Sequence, residues 1–356
     1  MLKIGFYLNE INYRGISNSV FYFATNNEKI LNNKSIIFYW SGAIDNKKDV
    51  IKKFKKKFKL YKVKNFYELE ILCKKLKLDY CYFQRAGHRE YLLKKTKNIV
   101  HAVFPEKSVY NGDSYAFVSE WLSKNCSNNK YSYVPLPIKL LQNNQNLRQK
   151  FKIPKSAKVF GYHGGPKSFD LDFVKDAVKK LTKKNNNIYF FFMNVDKFLS
   201  HKKVFFLKGS FNEIEKVKFI NTCDAMLHAR SLGESFGISC AEFAIKNKPV
   251  FTYEFCKHRS HFEVCKENII SYYSFNDLIE KLENFDKKKK YKNSNIKKKF
   301  SEINTIKKFD KIFLKNNYRF SLSFYDYIFI FIFYLKKNYF YIRHKFYINF
   351  YKLLNL

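Results

Sequence analysis

The chain has 356 residues, 68 Lys+Arg against 30 Asp+Glu for a formal net charge of +38, and 46% hydrophobic and 19% aromatic residues. That length leaves room for two domains, and the apolar fraction is that of a globular protein, which excludes wholesale disorder. The positive excess has two readings: Lys, Asn, Ile, Phe and Tyr are abundant together, as a bias in nucleotide composition would make them, or a basic surface attracts membranes, nucleic acid or phosphorylated ligands.

In chain order, the apolar run Leu2 to Leu8 is followed by a loop through Arg14 and Gly15 and a helical pattern from Ile16. This is the grammar of a strand, a turn and a crossover helix. Further strands are predicted at Ser35 to Trp40, Tyr80 to Gln84, Asn98 to Phe104 and Tyr115 to Ser119, with a helix over Asn65 to Lys77. Val118-Ser-Glu-Trp-Leu122 reads as a strand-to-helix junction. Val134-Pro-Leu-Pro137 closes this set, because two prolines in four residues continue neither a central strand nor a helix.

A second alternating set runs through Lys158 to Tyr162, Ile188 to Val195, Val204 to Lys208, Asp224 to Ala229 and Pro249 to Phe255. The fold class is therefore α/β: two tandem Rossmann-like, doubly wound domains, over 1–137 and 138–285, with a ligand cleft at the carboxyl ends of the sheets. From Asp286 to Leu356 the net charge is +14, and residues 286–356 read as a basic, aromatic, helical tail. Between Phe320 and Tyr351, 15 of 32 residues are Phe or Tyr. The uncharged run Tyr327 to Leu335 is only about half a membrane span, so 320–351 is expected to lie at an anionic membrane surface, with domain packing and a dimer surface as alternatives.

Seven cysteines, at 73, 81, 126, 223, 240, 256 and 265, form no CxxC pair, as expected for free thiols in a reducing compartment. MLKIGFYLNEINYRG has no apolar core of a secretory signal. A cytoplasmic protein, peripheral on the cytosolic face of a membrane, is the expectation.

The most informative stretch is Asp224 to Glu242. An apolar strand delivers the chain to a tight loop with Gly233 and Gly237, and a helical pattern over Ile238 to Asn247 begins directly afterwards. Free amides at such a junction suit an anion. Glu234 and Glu242 can face one cleft while reaching different parts of an elongated ligand, each accepting two vicinal hydroxyl hydrogen bonds. The plainer reading makes them a helix-start acid and a solvated helix charge.

Glu234-Ser-Phe-Gly237, Glu242 and the following Lys248-Pro-Val250 resemble the E-x7-E signature of retaining glycosyltransferases with the GT-B fold, especially the family-4 type. The resemblance covers residues 1–285. It implies a nucleoside diphosphate sugar donor, with Glu234 on the transferred sugar in the catalytic position, Glu242 on the nucleotide ribose, and Ser235, Phe236 and Gly237 as a loop whose amides hold the diphosphate. Val159 to Asp170 matches a second place, where the family has Gly-Arg and then a Lys aimed at the diphosphate. Here the Arg position is Tyr162; the resemblance leaves Lys167 to supply a cation, His163 a donor, Gly164 and Gly165 exposed amides, and Arg230 the missing guanidinium, the alternatives being a plain strand-to-helix turn and an Arg230 that only pairs with a surface carboxylate. In the first domain Gly15 occupies the family's glycine-rich loop, and Arg85 and His88 line the acceptor side, with His101 as a further candidate.

Asp170-Leu-Asp172 also reads as a DxD metal signature, but it precedes the helical pattern Phe173 to Lys184, which makes Asp170 a helix N-cap or first-turn acid. No metal and no cofactor beyond the donor are expected. The function implied is transfer of a sugar from a nucleoside diphosphate sugar to a glycan or lipid-linked acceptor, with retention and by a hexosyltransferase-type enzyme. The alternatives are a basic nucleic-acid-binding protein, against which no reader motif is found, and a catalytically inactive GT-B scaffold at a membrane, which the Tyr162 departure leaves open.

Overall fold

The structure, a computed structural model, describes residues 1–87, 90–104, 110–184, 187–292 and 294–315. They divide into two units, Met1–Pro137 with residues 302–315, and Ile138–Ser301.

The first unit runs β1 (Lys3–Leu8), α1 (Gly15–Lys29), β2 (Lys34–Trp40), α2 (Lys48–Lys57), β3 (Lys59–Val63), α3 (Phe66–Lys75), β4 (Tyr80–Arg85), β5 (Lys97–Ala102), β6 (Ser114–Phe117) and α4 (Glu120–Ser127). Its strands pair in parallel in the order β3-β2-β1-β4-β5-β6. That is a doubly wound sheet whose winding reverses between β1 and β4. β1 and β2 are largely apolar, and β4 and β5 are buried almost throughout, because both faces of a parallel sheet are covered. On α2, Val50 and Phe54 are buried four positions apart while its lysines take the outer face. At the predicted strand-to-helix junction Ser119 caps α4, its side chain accepting from the Leu122 amide.

The second unit runs β7 (Lys158–His163), α5 (Asp172–Lys183), β8 (Ile188–Met193), β9 (Val204–Leu207), α6 (Glu213–Thr222), β10 (Ala225–His228), β11 (Gly233–Glu234), α7 (Ile238–Ala244), β12 (Val250–Tyr253), β13 (His258–Arg259), α8 (Ser260–Cys265), β14 (Ile269–Tyr272), α9 (Phe275–Glu283) and α10 (Ser294–Lys299). The main sheet has the order β14-β12-β10-β7-β8-β9, so it winds as the first one does and reverses between β7 and β10. A two-residue ladder of β11 with β13 stands apart from it.

The segment from 286 onward is not all tail. Ile296 and Phe300 are buried in the second unit, where the Phe300 ring meets Phe236 edge-on at 5.4 Å and its carbonyl accepts from the Ile138 amide. α11 (Glu302–Phe309) and the following turn put Ile306, Phe309 and Phe313 into the first unit, with Phe309 5.2 Å from Phe23 and 5.5 Å from Tyr82. The charge density that reads as a basic tail is, over α10 and α11, the outer face of helices whose apolar residues point inward. Residues 320–351 and His88 lie outside the described residues. No helix among the described residues is long and apolar enough to cross a membrane.

Candidate active site

In a doubly wound sheet the carboxyl ends of the strands flanking the reversal are where loops part and leave a crevice. In the second unit those strands are β7 and β10, and each ends on a histidine, His163 and His228. Each histidine approaches one of the two glutamates.

The chain leaves β10, turns through 229–232, and returns as β11. Gly233 has φ +67°, and a Cβ there would lie 2.1 Å from the His258 carbonyl oxygen; Gly237 has φ +91°, and a Cβ there would lie 2.7 Å from the His261 Cβ. Both positions need glycine. Between them stand Glu234, half-buried Ser235, and Phe236, which is buried against Phe300.

Glu234 Oε1 accepts from Arg230 Nη1 at 3.1 Å and from His228 Nε2 at 3.3 Å. No described residue hydrogen-bonds to Oε2. Burial alone would push this carboxyl up, but the His228 hydrogen bond and the Arg230 charge outweigh it and hold the group down at about 2. It is a carboxylate at any physiological pH, with one oxygen committed to the protein and the other not.

Glu242, in α7, is 2% exposed. Lys216 of α6 pairs with Oε1, and His163 Nε2 lies 3.1 Å from Oε2. That approach is off the line of a hydrogen bond, so both of the latter atoms are buried with no hydrogen-bond partner. Burial raises this carboxyl as well, and the Lys216 charge and His163 more than offset it, leaving it below the usual carboxylate range.

The turn after β7 carries Gly164, Gly165 and Lys167. It is closed by Ser168, whose amide and hydroxyl both donate to the Gly165 carbonyl, at 3.0 and 2.7 Å, and Asn194 donates to the Gly164 carbonyl at 2.6 Å. Lys167 is exposed and makes no ion pair among the described residues. Tyr162 is 1% exposed and donates to Ser168 Oγ at 2.8 Å, so the residue in the family's Arg position braces the turn from below.

Asp170 is not a helix cap. α5 starts at Asp172 after Leu171, and the Asp170 carboxylate accepts instead from the Ser231 amide at 2.7 Å and its hydroxyl at 3.0 Å, while its own amide donates to the Ala229 carbonyl. It fastens the loop after β7 to the loop that carries Arg230. Asp172 is 89% exposed and pairs with Lys175 at 2.8 Å. Among the described residues no group of three or more His, Cys, Asp or Glu is arranged to hold a metal ion. Lys248 of the resembling motif sits at the amino end of the sheet, where its ammonium donates to the Cys223 carbonyl.

In the first unit Gly15 opens α1. The Arg85 guanidinium is buried, lies 4.1 Å over the Phe83 ring and donates to the Tyr91 carbonyl at 3.0 Å. His101 donates from Nε2 to the Val134 carbonyl at 2.8 Å and accepts at Nδ1 from Tyr82 at 2.6 Å. Burial pushes its imidazole down to about 4, so it is a neutral brace.

Sequence reasoning passes over His228, Lys216 and the Asp170–Ser231 tie. A polar residue closing an apolar strand just before a glycine-rich loop is a readable signal for His228. Lys216 has none, since only packing of α6 against α7 brings it to Glu242.

No family model and no curated protein matches the sequence. Solved structures do match. A glycosyltransferase from Rickettsia africae superposes at a TM-score of 0.65 with 14% identity, over 88% of this chain and 99% of that one. HepE from Anabaena, solved with UDP-glucose, gives 0.67 with 11% identity over 87% and 99%, and S. aureus TarM, solved with UDP, gives 0.64 with 11% identity over 88% and 100%. The fold is that of the GT-B glycosyltransferases. At these identities the GT-B likeness is a likeness of fold, and the chemistry has to be argued from the residues.

Proposed function

We propose that the chain is a glycosyltransferase that moves a hexosyl group from a nucleoside diphosphate sugar to a glycan or lipid-linked acceptor, with retention and without a metal ion. The observation that carries this reading is the pair Glu234 and Glu242 at the sheet reversal of the second unit, each paired with a cation and each lying beside a histidine. Two fixed carboxylates suit a ligand with hydroxyls at both ends. Glu234 Oε2 would accept from hydroxyls of the sugar, and Glu242 Oε2, buried beside His163, would accept from the nucleotide ribose once that ring swings aside. As the glycosidic bond breaks, negative charge grows on the leaving diphosphate, and the exposed ammonium of Lys167 with the amides of Gly165, Phe236 and Gly237 would stabilise it, whereas the Gly164 amide, expected to be exposed, donates to the Met193 carbonyl at 3.4 Å. With no carboxylate assigned as a nucleophile, the leaving phosphate would take the acceptor proton on the same face, which retains the anomeric configuration. Because HepE is solved with UDP-glucose, uridine donors are the first to try.

A thermal-shift panel of UDP-, GDP- and ADP-sugars tests the reading: a donor at 100 times its dissociation constant stabilises the protein by about 2.7 kcal/mol. No shift with any of them contradicts it. Activity should survive EDTA. We also propose that residues 320–351 hold the enzyme at an anionic membrane surface on the cytosolic side. Since Phe300, Phe309 and Phe313 are core residues, the truncation that tests this ends at Lys315, and loss of sedimentation with acidic liposomes is the expected result.

A further inference from the structure

Behind Glu234 a line of buried polar groups runs into the second unit. His228 on β10 and Thr252 on β12 are register partners, and His228 Nδ1 lies 2.8 Å from Thr252 Oγ1. Thr252 Oγ1 is in turn 2.9 Å from Nε2 of His261 on α8. All three side chains are fully buried, and His261 Nδ1 has no hydrogen-bond partner.

The protons in this line can be counted. An ionised Glu234 only accepts, so His228 must carry its proton on Nε2, and its Nδ1 then offers a lone pair. Thr252 has to donate to that lone pair. Having spent its single proton there, the hydroxyl meets His261 as an acceptor, so His261 also carries its proton on Nε2. What remains is a bare Nδ1 on His261, the one atom of the array with no partner. Running the protons the other way, with a proton on His228 Nδ1, would bury an N–H at His261 Nδ1 with nothing to accept it, and in a neutral His228 would also turn a bare nitrogen toward a carboxylate.

We propose that Thr252 and His261 are positioning residues, which fix His228 as an Nε2–H donor and so hold Glu234 anionic with Oε1 occupied and Oε2 presented to the sugar. The part concerning the sugar rests on the function proposed above; the proton pattern does not. Burial pushes the His261 imidazole well below its ordinary range, with the Arg259 and Arg230 charges acting in the same direction and Glu234 against them, so His261 stays neutral as the pattern requires.

The test uses the full chain labelled with 15N-histidine, with multiple-bond 1H–15N correlations to report which ring nitrogen of each histidine is protonated, and His228→Gln to assign the resonance. Wild-type His228 should show the Nε2–H tautomer alone. Thr252→Val should give a mixture of tautomers, and Thr252→Ser should restore the single form. If Thr252→Val does not fold, His261→Phe reads the same property and should also give a mixture. A wild-type Nδ1–H tautomer, or an unchanged His228 signal in the folded valine or phenylalanine variant, overturns the proposal. Calorimetry adds the functional readout: Thr252→Val should weaken UDP-glucose about tenfold relative to UDP, the loss of roughly one well-made hydrogen bond. Wild-type protein that binds neither ligand would sink the transferase reading while the tautomers still decide the array.

Discussion

The two units wind their six-stranded sheets in the same order and each buries histidines, but to different ends. In the first, His101 stands between a tyrosine hydroxyl and a backbone carbonyl, with Phe23 and Phe313 packed around the ring. In the second, His163 and His228 close the two strands at the reversal and face Glu242 and Glu234. One sheet type thus yields a neutral brace where a hydroxyl and a carbonyl face the ring, and histidines set against carboxylates where a loop and a helix bring Glu234 and Glu242 to the strand ends. Residue type alone does not separate the two outcomes; what faces the ring does.

That contrast can be broken by experiment. The largest effect belongs to the first unit's aromatic core. Phe309→Ala should cost about 3–5 kcal/mol in urea unfolding, while nucleotide binding by the folded protein stays as it was. A loss under about 1 kcal/mol would mean that α11 is not part of that core. Next comes acid. His101 stays neutral in the folded state down to about 4, against 6.5 for the free side chain, so the unfolded chain binds the extra proton first. Stability from this group is complete above pH 6.5 and falls as pH drops toward 4, by on the order of 3 kcal/mol. His101→Phe should flatten that window, and equal losses in variant and wild type would contradict it. The smallest effect separates the two aspartates of the DxD. Asp170→Ala, which unties the loop that carries Arg230, should cost about 1 kcal/mol, and Asp172→Ala, which removes only an exposed carboxylate, should cost less. Similar losses at both positions, with activity dependent on Mn²⁺, would restore the metal reading.

The strand plan was legible because fully covered parallel strands are uninterrupted apolar runs, such as Phe190, Phe191 and Phe192 in β8. β3 was not, because KLYKV is a partly exposed edge strand with two solvent-facing lysines. The packing of α10 and α11 into the cores is hidden for a related reason: Ile296 and Phe300, and Ile306 and Phe309, are paired at helical intervals inside a stretch dominated by lysine, where charge density outweighs the buried minority. Of the site, Glu234 and Glu242 could be found because their relation is local, eight positions across one loop and helix. Lys216 at Glu242, Asp170 at Ser231 and His261 behind Thr252 join segments whose proximity only the folded sheet creates.

The central claim is that the two glutamates divide one ligand between them. It is tested most directly by calorimetric titration of UDP and UDP-glucose into wild-type, Glu234→Gln and Glu242→Gln proteins. Glu242→Gln should weaken both ligands by about 1–3 kcal/mol, the usual loss for a charged hydrogen-bonding group, because both carry the ribose. Glu234→Gln should leave UDP unchanged and weaken only UDP-glucose. If both variants respond alike to the two ligands, or wild-type protein binds neither, the assignment of these carboxylates is wrong.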